Sequence, residues 1–486
     1  VLPPLATTTA GVGGAGDDTA NVMIEYGGGV YIDASGAIYT YDDQADSWGS
    51  SLHTLPEPAS DAIVIRLGGT VYLVFAHRNG YTYYDGTTWT DDTEDMIYVT
   101  FWNDQLWGID RTGQLRKCST IGSWTDDAIL PLEDGVVTDL FVSGDASNVP
   151  IIYAMTTKGL FAHDNSNTKF LLTELGMPQH PTNGKGSRRW RGGLYPPSGL
   201  GVYEYISDGQ PAEVNLVGPD LDDGLPSDRK GSIVQLEGSN NRLFGGVAAS
   251  TATPLITSSI SSIPVGLDAF SGSVNRGRGT VRPVDKGRSL VLAWSGESGP
   301  GVKGGGWEVA WESDDDTQGI TTMLVSGAYG KHRLWWAHNK RVLYMDLPID
   351  IINPSQVTTF EYGSTFKHHT PWFTGGDAVA NLALLLRAES LHPTTAETLT
   401  IGYRRNYSTG AFTKWGPINS SGETELPFPV SGDGVGVPFR AIQFEVEGNR
   451  DTTKTNSPDL VALTLEWLKI IPPRATVTVD CVLTDY

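Results

Sequence analysis

Apolar and polar positions recur in a fixed order over about the first 350 residues of the chain. A short apolar and aromatic segment is followed by a Gly or Asp turn, a second such segment, and a Trp ahead of an acidic turn. Three clear copies span Gly29–Trp48, Thr70–Asp92 and Asp104–Asp127, and their tryptophans are spaced by 41 and 35 residues. A repeat of this length, built from short strands and tight turns, is typical of a β-propeller blade. The pattern predicts an all-β chain with a propeller over residues 21–354, of about seven blades, with six or eight left open.

The pattern changes beyond Pro354. Longer segments of alternating apolar and polar residues appear, such as Thr398–Arg404 and Phe439–Glu447, and the 35 to 45 residue period is lost. Alternating strands separated by turn residues predict an antiparallel β-sandwich, which we place at 355–486. The small, Gly-rich stretch 1–20 is interpreted as an N-terminal tail or linker. Because a propeller needs a terminal strand to close its ring, the strand near 21–26 or the one near 357–362 is expected to do so.

Composition narrows the classes of partner. The 486 residues include 58 Gly, 28 Pro and 14 Trp, and the formal net charge is −22. Such a charge disfavours nucleic acid and anionic lipid, because both bind to positive surfaces. No apolar run approaches the ~18 residues needed to span a bilayer, so membrane insertion is not expected.

Several phrases in the second half of the chain are similar to those of tailed-bacteriophage virion proteins, in which a β-propeller precedes a small sandwich. The phrases are Arg333–Trp336, Leu343–Pro348, Thr370–Phe373, Thr400–Arg404, Pro438–Phe444 and Asn456–Leu460, and the resemblance covers roughly residues 220–475. It implies a structural component of a tail or other appendage, located on the virion or outside the cell, with other virion proteins as partners and assembly as a homo-oligomer. The phrase Gly224–Asp228 is also similar to propellers of bacterial two-component sensors. No membrane span or kinase region follows it, which disfavours a sensor.

Signatures of catalysis are weak. Propellers that cleave glycosides place two carboxylates in the central funnel. Asp33, Asp110 and Asp346 are candidates, although acidic residues after strands are ordinary turn formers. The acidic stretch Asp220–Gly224 leaves Ca²⁺ open as a cofactor, but it lacks the downstream bidentate Glu, and an acidic turn explains it better. The sequence therefore predicts no catalytic residues, no metal site and no required cofactor.

Aromatic residues provide the one binding signal. Sugar rings and protein interfaces both use aromatic side chains that face solvent. The candidates are Tyr81, Tyr83, Tyr84, Trp89, Trp335 and Trp336. Neighbouring residues on a strand point to opposite sides, so one of each adjacent pair lies on the other face of its sheet. The alternative interpretation is that these rings pack between blades.

The favoured hypothesis is a structural and interaction protein of a phage virion that offers a rigid platform for protein or host-surface contacts. A carbohydrate-binding adhesin that recognises the host is the first alternative. A secreted polysaccharide hydrolase or lyase is the second, and it requires two carboxylates in the funnel at about 5 to 10 Å separation.

Overall fold

The computed structural model describes most of residues 7–469. Within that range it leaves out residues 10–11, 13–18, 133–134, 146, 148, 165–167, 178–179, 181, 208–211, 220–224, 226–228, 230, 240–241, 249–286, 297–305, 314–318, 339–340, 348–360, 376–380, 430–435, 451 and 453–455. The described structure is built from antiparallel sheets, and no α-helix occurs among the described residues; a 3₁₀ turn spans Ala328–Gly330. The all-β prediction is confirmed. The chain divides into two compact units, Pro3–Glu361 and Tyr362–Tyr486.

The first unit consists of sheets in which consecutive strands pair side by side. Given in chain order, the first four sheets consist of β2 (Ala20–Tyr26), β3 (Gly29–Ala34), β4 (Ala37–Asp42), β5 (Ser47–Trp48) and β6 (His53–Thr54); β7 (Ala59–Leu67), β8 (Thr70–His77), β9 (Gly80–Tyr84) and β10 (Trp89–Asp92); β11 (Tyr98–Trp102), β12 (Gln105–Ile109), β13 (Gln114–Cys118) and β14 (Thr125–Ile129); and β15 (Val137–Gly144), β16 (Pro150–Thr156), β17 (Gly159–Asp164) and β18 (Lys169–Gly176).

Three further sheets follow. They consist of β19 (Arg188–Trp190), β20 (Gly193–Tyr195), β21 (Pro197–Ser198), β22 (Gly201–Ile206) and β23 (Glu213–Leu216); β24 (Ser232–Gly238), β25 (Leu243–Ala248), β26 (Leu290–Trp294) and β27 (Trp307–Glu312); and β28 (Ile320–Ser326), β29 (Arg333–His338), β30 (Arg341–Asp346) and β1 (Thr7–Thr8).

Local turn chemistry explains why the first two strands of a sheet form a hairpin. Gly27–Gly28, Gly68–Gly69 and Asn103–Asp104 join these strands in the first three sheets, and both residues of each pair have positive φ. Two-residue turns with two positive φ angles match the right-handed twist of the strands they join.

The sheets are arranged in a ring. Buried apolar residues form one cluster between each pair of neighbouring sheets, and a further cluster joins the last sheet to the first. That closing cluster brings Ile32 and Tyr41 of the first sheet together with Trp335 and Val342 of the last. Radially arranged antiparallel sheets with apolar seams form a β-propeller. The described residues contain seven such sheets.

The closing strand comes from the N-terminus. Thr7 and Thr8 pair with Tyr344 and Leu343, so β1 becomes the outermost strand of the last sheet. Thr9 is buried, and its hydroxyl donates to the carbonyl of Val342 at 2.9 Å.

This pairing corrects two expectations. Residues 1–20 are not simply a tail or linker, because part of that stretch completes a sheet. Closure is not performed by the strand at 21–26, which is the first strand of the first sheet. The other expected closing strand, at 357–362, lies mostly outside the described residues, as does the predicted boundary near 355.

Polar side chains fasten neighbouring sheets near the ring axis. The register shifts by one residue near the start of β2, β7, β15, β24 and β28. Such a bulge re-aims the side chain that follows it. In three of these strands that side chain, Asp61, Asp139 or Gln235, accepts a backbone N–H at 2.9 Å from the next sheet or, for Asp139, from Ser187 directly before that sheet. We call these three residues the seam acceptors.

The second unit is an antiparallel β-sandwich, as predicted. One sheet has the order β31 (Thr365–His369), β38 (Ala441–Asn449), β34 (Thr398–Arg405) and β35 (Thr413–Lys414), with β32 (Phe373–Thr374) also pairing with β38; the other contains β33 (Asn381–Leu391), β36 (Gly422–Pro427), β37 (Val437–Phe439) and β39 (Asp459–Lys469). Side chains from both sheets, among them Leu386 and Phe444, share one apolar core. The alternation of apolar and charged residues along β38 thereby places its charges on the outer face of the first of these sheets.

Candidate functional site

Three of the six predicted binding aromatics are buried. Tyr81, Trp335 and Trp336 are 0%, 1% and 0% exposed. Trp335 contacts Tyr41 with ring centroids 4.9 Å apart, within the apolar cluster between the last and first sheets. The expectation that these rings face solvent is wrong, because neighbouring sheets cover both faces of each blade. Alternation along a strand then directs one ring into each of two seams.

The other three predicted aromatics are half-buried. Tyr84 and Trp89 stack with centroids 4.7 Å apart, and His53 lies parallel to Trp89 at 5.2 Å. Tyr83 stacks on Tyr81 at 6.0 Å. These rings therefore mainly contact one another. Ligand binding by them stays a prediction.

The carboxylates that the sequence singled out act within turns and ion pairs. Asp33 is fully buried and accepts backbone N–H groups from Gly36 and Ala59. Asp110 accepts from the backbone of its own turn, and Asp346 accepts from Arg333 at 2.9 Å. Each has a structural use that accounts for its position.

The seam acceptors include two unusual acids that sequence reasoning missed. Burial raises the pKa of Asp61 to about 7, although N–H groups of Val99 and Ala62 bond to it. Burial, and then the charge of Asp61, raise the pKa of Asp139 well above its ordinary range. Ser187 and Leu140 donate N–H groups to Asp139 at 2.9 and 2.8 Å. Both carboxyl groups are held by backbone donors, and their evident role is to fasten the seams.

Metal binding has no support in the described part of the chain. No group of three or more His, Cys, Asp or Glu side chains that could hold a metal ion occurs among the described residues. The acidic stretch Asp220–Gly224, considered for Ca²⁺, lies outside them. No helix among the described residues is long and apolar enough to cross a membrane.

A row of aromatic side chains with one well-exposed end lies on the second unit. Along the outer face of the β31–β38–β34–β35 sheet, five side chains follow one another as neighbours. We call them the aromatic row, and they are Tyr407, Trp372, Arg404, Phe412 and His369. Successive ring centroids, with the guanidinium carbon of Arg404 in the middle, are 5.0, 5.4, 4.5 and 4.7 Å apart. Tyr407, at the open end, is 61% exposed.

Strand register places the members of the row. Arg404 lies opposite Gln443 in the β34–β38 pairing, and Gly402 lies opposite Glu445. Gly402 leaves space over the sheet for Phe412, since a Cβ atom there would come 3.0 Å from the Cβ of Phe412. The row therefore lies on the sheet surface and is set by pairings between strands distant in sequence.

Charged residues beneath one end of the row are mutually paired. His369 contacts Glu445 at 2.7 Å, and Lys367 and Lys414 contact Glu447 at 2.7 and 2.5 Å. Burial alone would raise the pKa of Glu445, but the hydrogen bond from His369 and the charge of Lys367 lower it below its ordinary value. This network of hydrogen bonds and ion pairs fixes the His369 end of the row.

The exposed end is presented by a tight turn of unusual composition. Asn406 and Tyr407 have φ angles of 54° and 57°, and the N–H of Ser408 donates to the carbonyl of Arg405 at 3.0 Å. Asn and Gly are the residues that suit such a turn, whereas an aromatic residue there costs about 1 kcal/mol or more. Asn406 also anchors the turn, accepting the N–H of Arg440 at 2.8 Å. Backbone strain at an exposed tyrosine is a feature that often accompanies function.

Sequence reasoning could have found part of this site. Trp372 and Arg404 lie in the phrases that carry the resemblance to virion proteins, but their proximity depends on strand order. A signal was present at Asn406–Tyr407, where a turn between two strands lacks the expected Gly. Tyr407 then stands out as an aromatic residue in a turn.

Comparisons with known proteins give no family. No protein-family model matches the chain, and no curated protein matches it. Among solved structures, the extracellular domain of a putative hybrid two-component system from B. thetaiotaomicron is 12% identical, with a TM-score of 0.45, and 88% of this chain aligns with 48% of that one. A computationally designed protein, Ika8, is 11% identical with a TM-score of 0.40, and 68% of this chain aligns with 83% of it. This chain thus spans about half of the sensor domain, and likenesses at this level carry no argument about function.

Proposed function

We propose that this chain is a non-catalytic recognition protein whose second unit binds carbohydrate through the aromatic row, and whose propeller is a rigid structural platform. The setting we propose is a phage tail or appendage, where such recognition serves attachment to the host. The observation that carries the proposal is the exposure of Tyr407 at the end of a row of rings in mutual contact.

Sugar recognition follows from the chemistry of the row. The apolar face of a pyranose stacks on an aromatic ring, and rigid aromatic side chains lose little entropy on binding. Trp372 is half-buried and tilted 47° from Tyr407, so the two rings form an angled surface. Arg404 beside them supplies hydrogen-bond donors for hydroxyl or acidic groups.

The platform role is supported by the ring itself. Each sheet of the propeller shares an apolar cluster with both neighbours, and the seam acceptors add hydrogen bonds across the seams. The outermost strands of the third and fourth sheets present Ile129, Leu171 and Leu172, which are 67%, 56% and 63% exposed. Exposed aliphatic side chains of this kind favour contacts with other proteins, here other virion components.

Carbohydrate binding is tested with a glycan array, followed by calorimetry on the glycans that bind. Tyr407→Ala and Trp372→Ala should each weaken binding by about 30-fold, the effect of removing a central contact worth ~2 kcal/mol. Phe373→Ala is the matched control, because Phe373 is 43% exposed but lies beside Trp467 on the other side of its strand. Loss of binding in the control variant alone, or no glycan binding by the unaltered chain, would contradict the proposal.

The absence of catalysis is tested in the same samples. Bound glycans should be recovered intact after prolonged incubation, as shown by mass spectrometry. Cleaved or unsaturated products would instead favour the hydrolase or lyase alternative, and Asp61 and Asp139 would then be the first acids to substitute.

The virion setting needs a separate experiment. Quantitative mass spectrometry of purified particles should find the chain at a fixed stoichiometry, and chemical cross-links should join it to other virion proteins. Absence of the chain from particles that infect normally would refute that part of the proposal and leave carbohydrate binding untouched.

A further inference from the structure

Arg404 differs from its charged neighbours on the outer face of the sandwich. Its Nε donates to the neutral side-chain oxygen of Gln443 at 2.8 Å, and no described residue forms a salt bridge with it. Glu445, the carboxylate whose charge acts on Arg404, already contacts His369 at 2.7 Å, with Lys414 at 3.5 Å. The guanidinium is therefore a cation without a carboxylate partner in the described part of the chain.

The guanidinium is also held in one orientation. Its carbon lies over the rings of Trp372 and Phe412, 5.4 and 4.5 Å from their centroids. Gln443, which accepts from its Nε, is 4% exposed and is itself fixed by donating to the carbonyl of Thr370 at 2.8 Å. Aromatic contacts and a fixed Nε leave the two terminal nitrogens as the donors that a ligand can meet.

We propose that the sugar bound by the aromatic row carries a carboxylate, as uronic and sialic acids do, and that Arg404 binds this group. The inference rests on the proposed function and names its ligand class. A planar guanidinium matches a carboxylate with two parallel hydrogen bonds. The ring of the same sugar would lie on Trp372 and Tyr407.

The charge of the whole chain makes this local cation decisive. At a net charge of −22, the long-range field repels anionic polysaccharides. An acidic glycan can then be selected only by a specific, preorganised cation at the site. Added salt should therefore strengthen binding slightly or leave it unchanged, because salt screens the long-range repulsion more than the close contact.

The test uses a galacturonate hexasaccharide and 3′-sialyllactose as probes, each paired with its carboxyl-reduced form. Calorimetry should show that the unaltered chain binds at least one acidic probe about tenfold more tightly than the reduced one, as expected for a charged hydrogen-bonded pair. Arg404→Gln should remove this preference, so that the variant binds the acidic and the reduced form of each probe with equal affinity. Arg404→Lys should keep part of it, since lysine retains charge but not the planar fork.

The outcomes separate the two proposals. Equal binding of acidic and reduced probes, lost in Tyr407→Ala, would overturn the role of Arg404 and leave carbohydrate recognition standing. A preference for the acidic probe that survives in Arg404→Gln would likewise overturn it. If neither these probes nor any glycan of the array binds, both proposals fail. Thermal unfolding of each variant shows whether a lost preference reflects a lost fold.

Discussion

Closure of the ring by the N-terminal strand can be tested at one hydroxyl group. The side-chain oxygen of Thr9 donates to the carbonyl of Val342 at 2.9 Å and accepts the indole N–H of Trp48 at 3.0 Å. Thr9→Val keeps the shape of the side chain and removes both bonds. The carbonyl of Val342 keeps its bond from the Thr9 N–H at 2.9 Å, whereas Trp48, only 9% exposed, loses its acceptor.

The magnitude follows from that orphaned donor. A buried N–H left without a partner costs ~1–3 kcal/mol, so we expect Thr9→Val to lower the free energy of unfolding by about 2 kcal/mol. Thr9→Ser, the matched control, keeps the hydroxyl and loses one methyl group, which should cost about 0.8 kcal/mol. Urea unfolding followed by circular dichroism gives both values.

A double-mutant cycle isolates the bond. Trp48→Phe removes the indole N–H, so Thr9→Val should be milder in that background, with a coupling energy of about 1 kcal/mol or more. A coupling energy near zero, or equal stability of the Val and Ser variants, would refute this account of closure.

Three further predictions concern the seams, a turn and the proposed site. Burial raises the pKa of Asp61 to about 7 in the folded chain, so its contribution to stability is fully present below pH 3.8 and is lost as the pH rises through 7. Urea titrations should therefore show that the stability of Asp61→Asn relative to the unaltered chain increases from pH 4 to 7. A difference that does not change with pH would contradict the conclusion that burial raises this pKa. Gly80→Ala should lower the free energy of unfolding by more than roughly 2 kcal/mol, because the new Cβ would overlap the carbonyl oxygen of Asp92. Gly69 also has a positive φ but open space around it, so Gly69→Ala should cost only about 1 kcal/mol. Similar melting temperatures for the two variants would argue against the clash. Tyr407→Gly should be more stable than Tyr407→Ala by about 1 kcal/mol, since glycine relieves the backbone strain at a φ of 57°. Both variants should lose glycan binding. Equal stability of the two would show that the turn is not strained.

The fold could largely be predicted because each blade repeats the same local sequence pattern. The spacing of the tryptophans indicates the length of a blade, and turn residues such as Gly68–Gly69 indicate where two neighbouring strands of one sheet are joined. The closing strand Thr7–Thr8 could not be found in this way, since two polar residues have no alternation and gain their place only by pairing with Leu343 and Tyr344.

The candidate site was harder to predict for two reasons. Alternation indicates that Trp335 and Trp336 face opposite ways, but it does not reveal that both faces of a propeller sheet are covered. In the sandwich, Trp372, Arg404 and Tyr407 meet because β32 and β34 both pair with β38. Such proximity follows from strand order, which the pattern of one strand does not specify.

Hydrogen-exchange mass spectrometry of the chain with the tightest-binding glycan of the array measures the location of binding directly. Exchange should slow in peptides that contain Trp372 and in those that cover 404–412, and it should be unchanged along the strands of the propeller. Protection confined to the propeller, or a bound glycan that leaves 404–412 unprotected, would contradict recognition by the aromatic row.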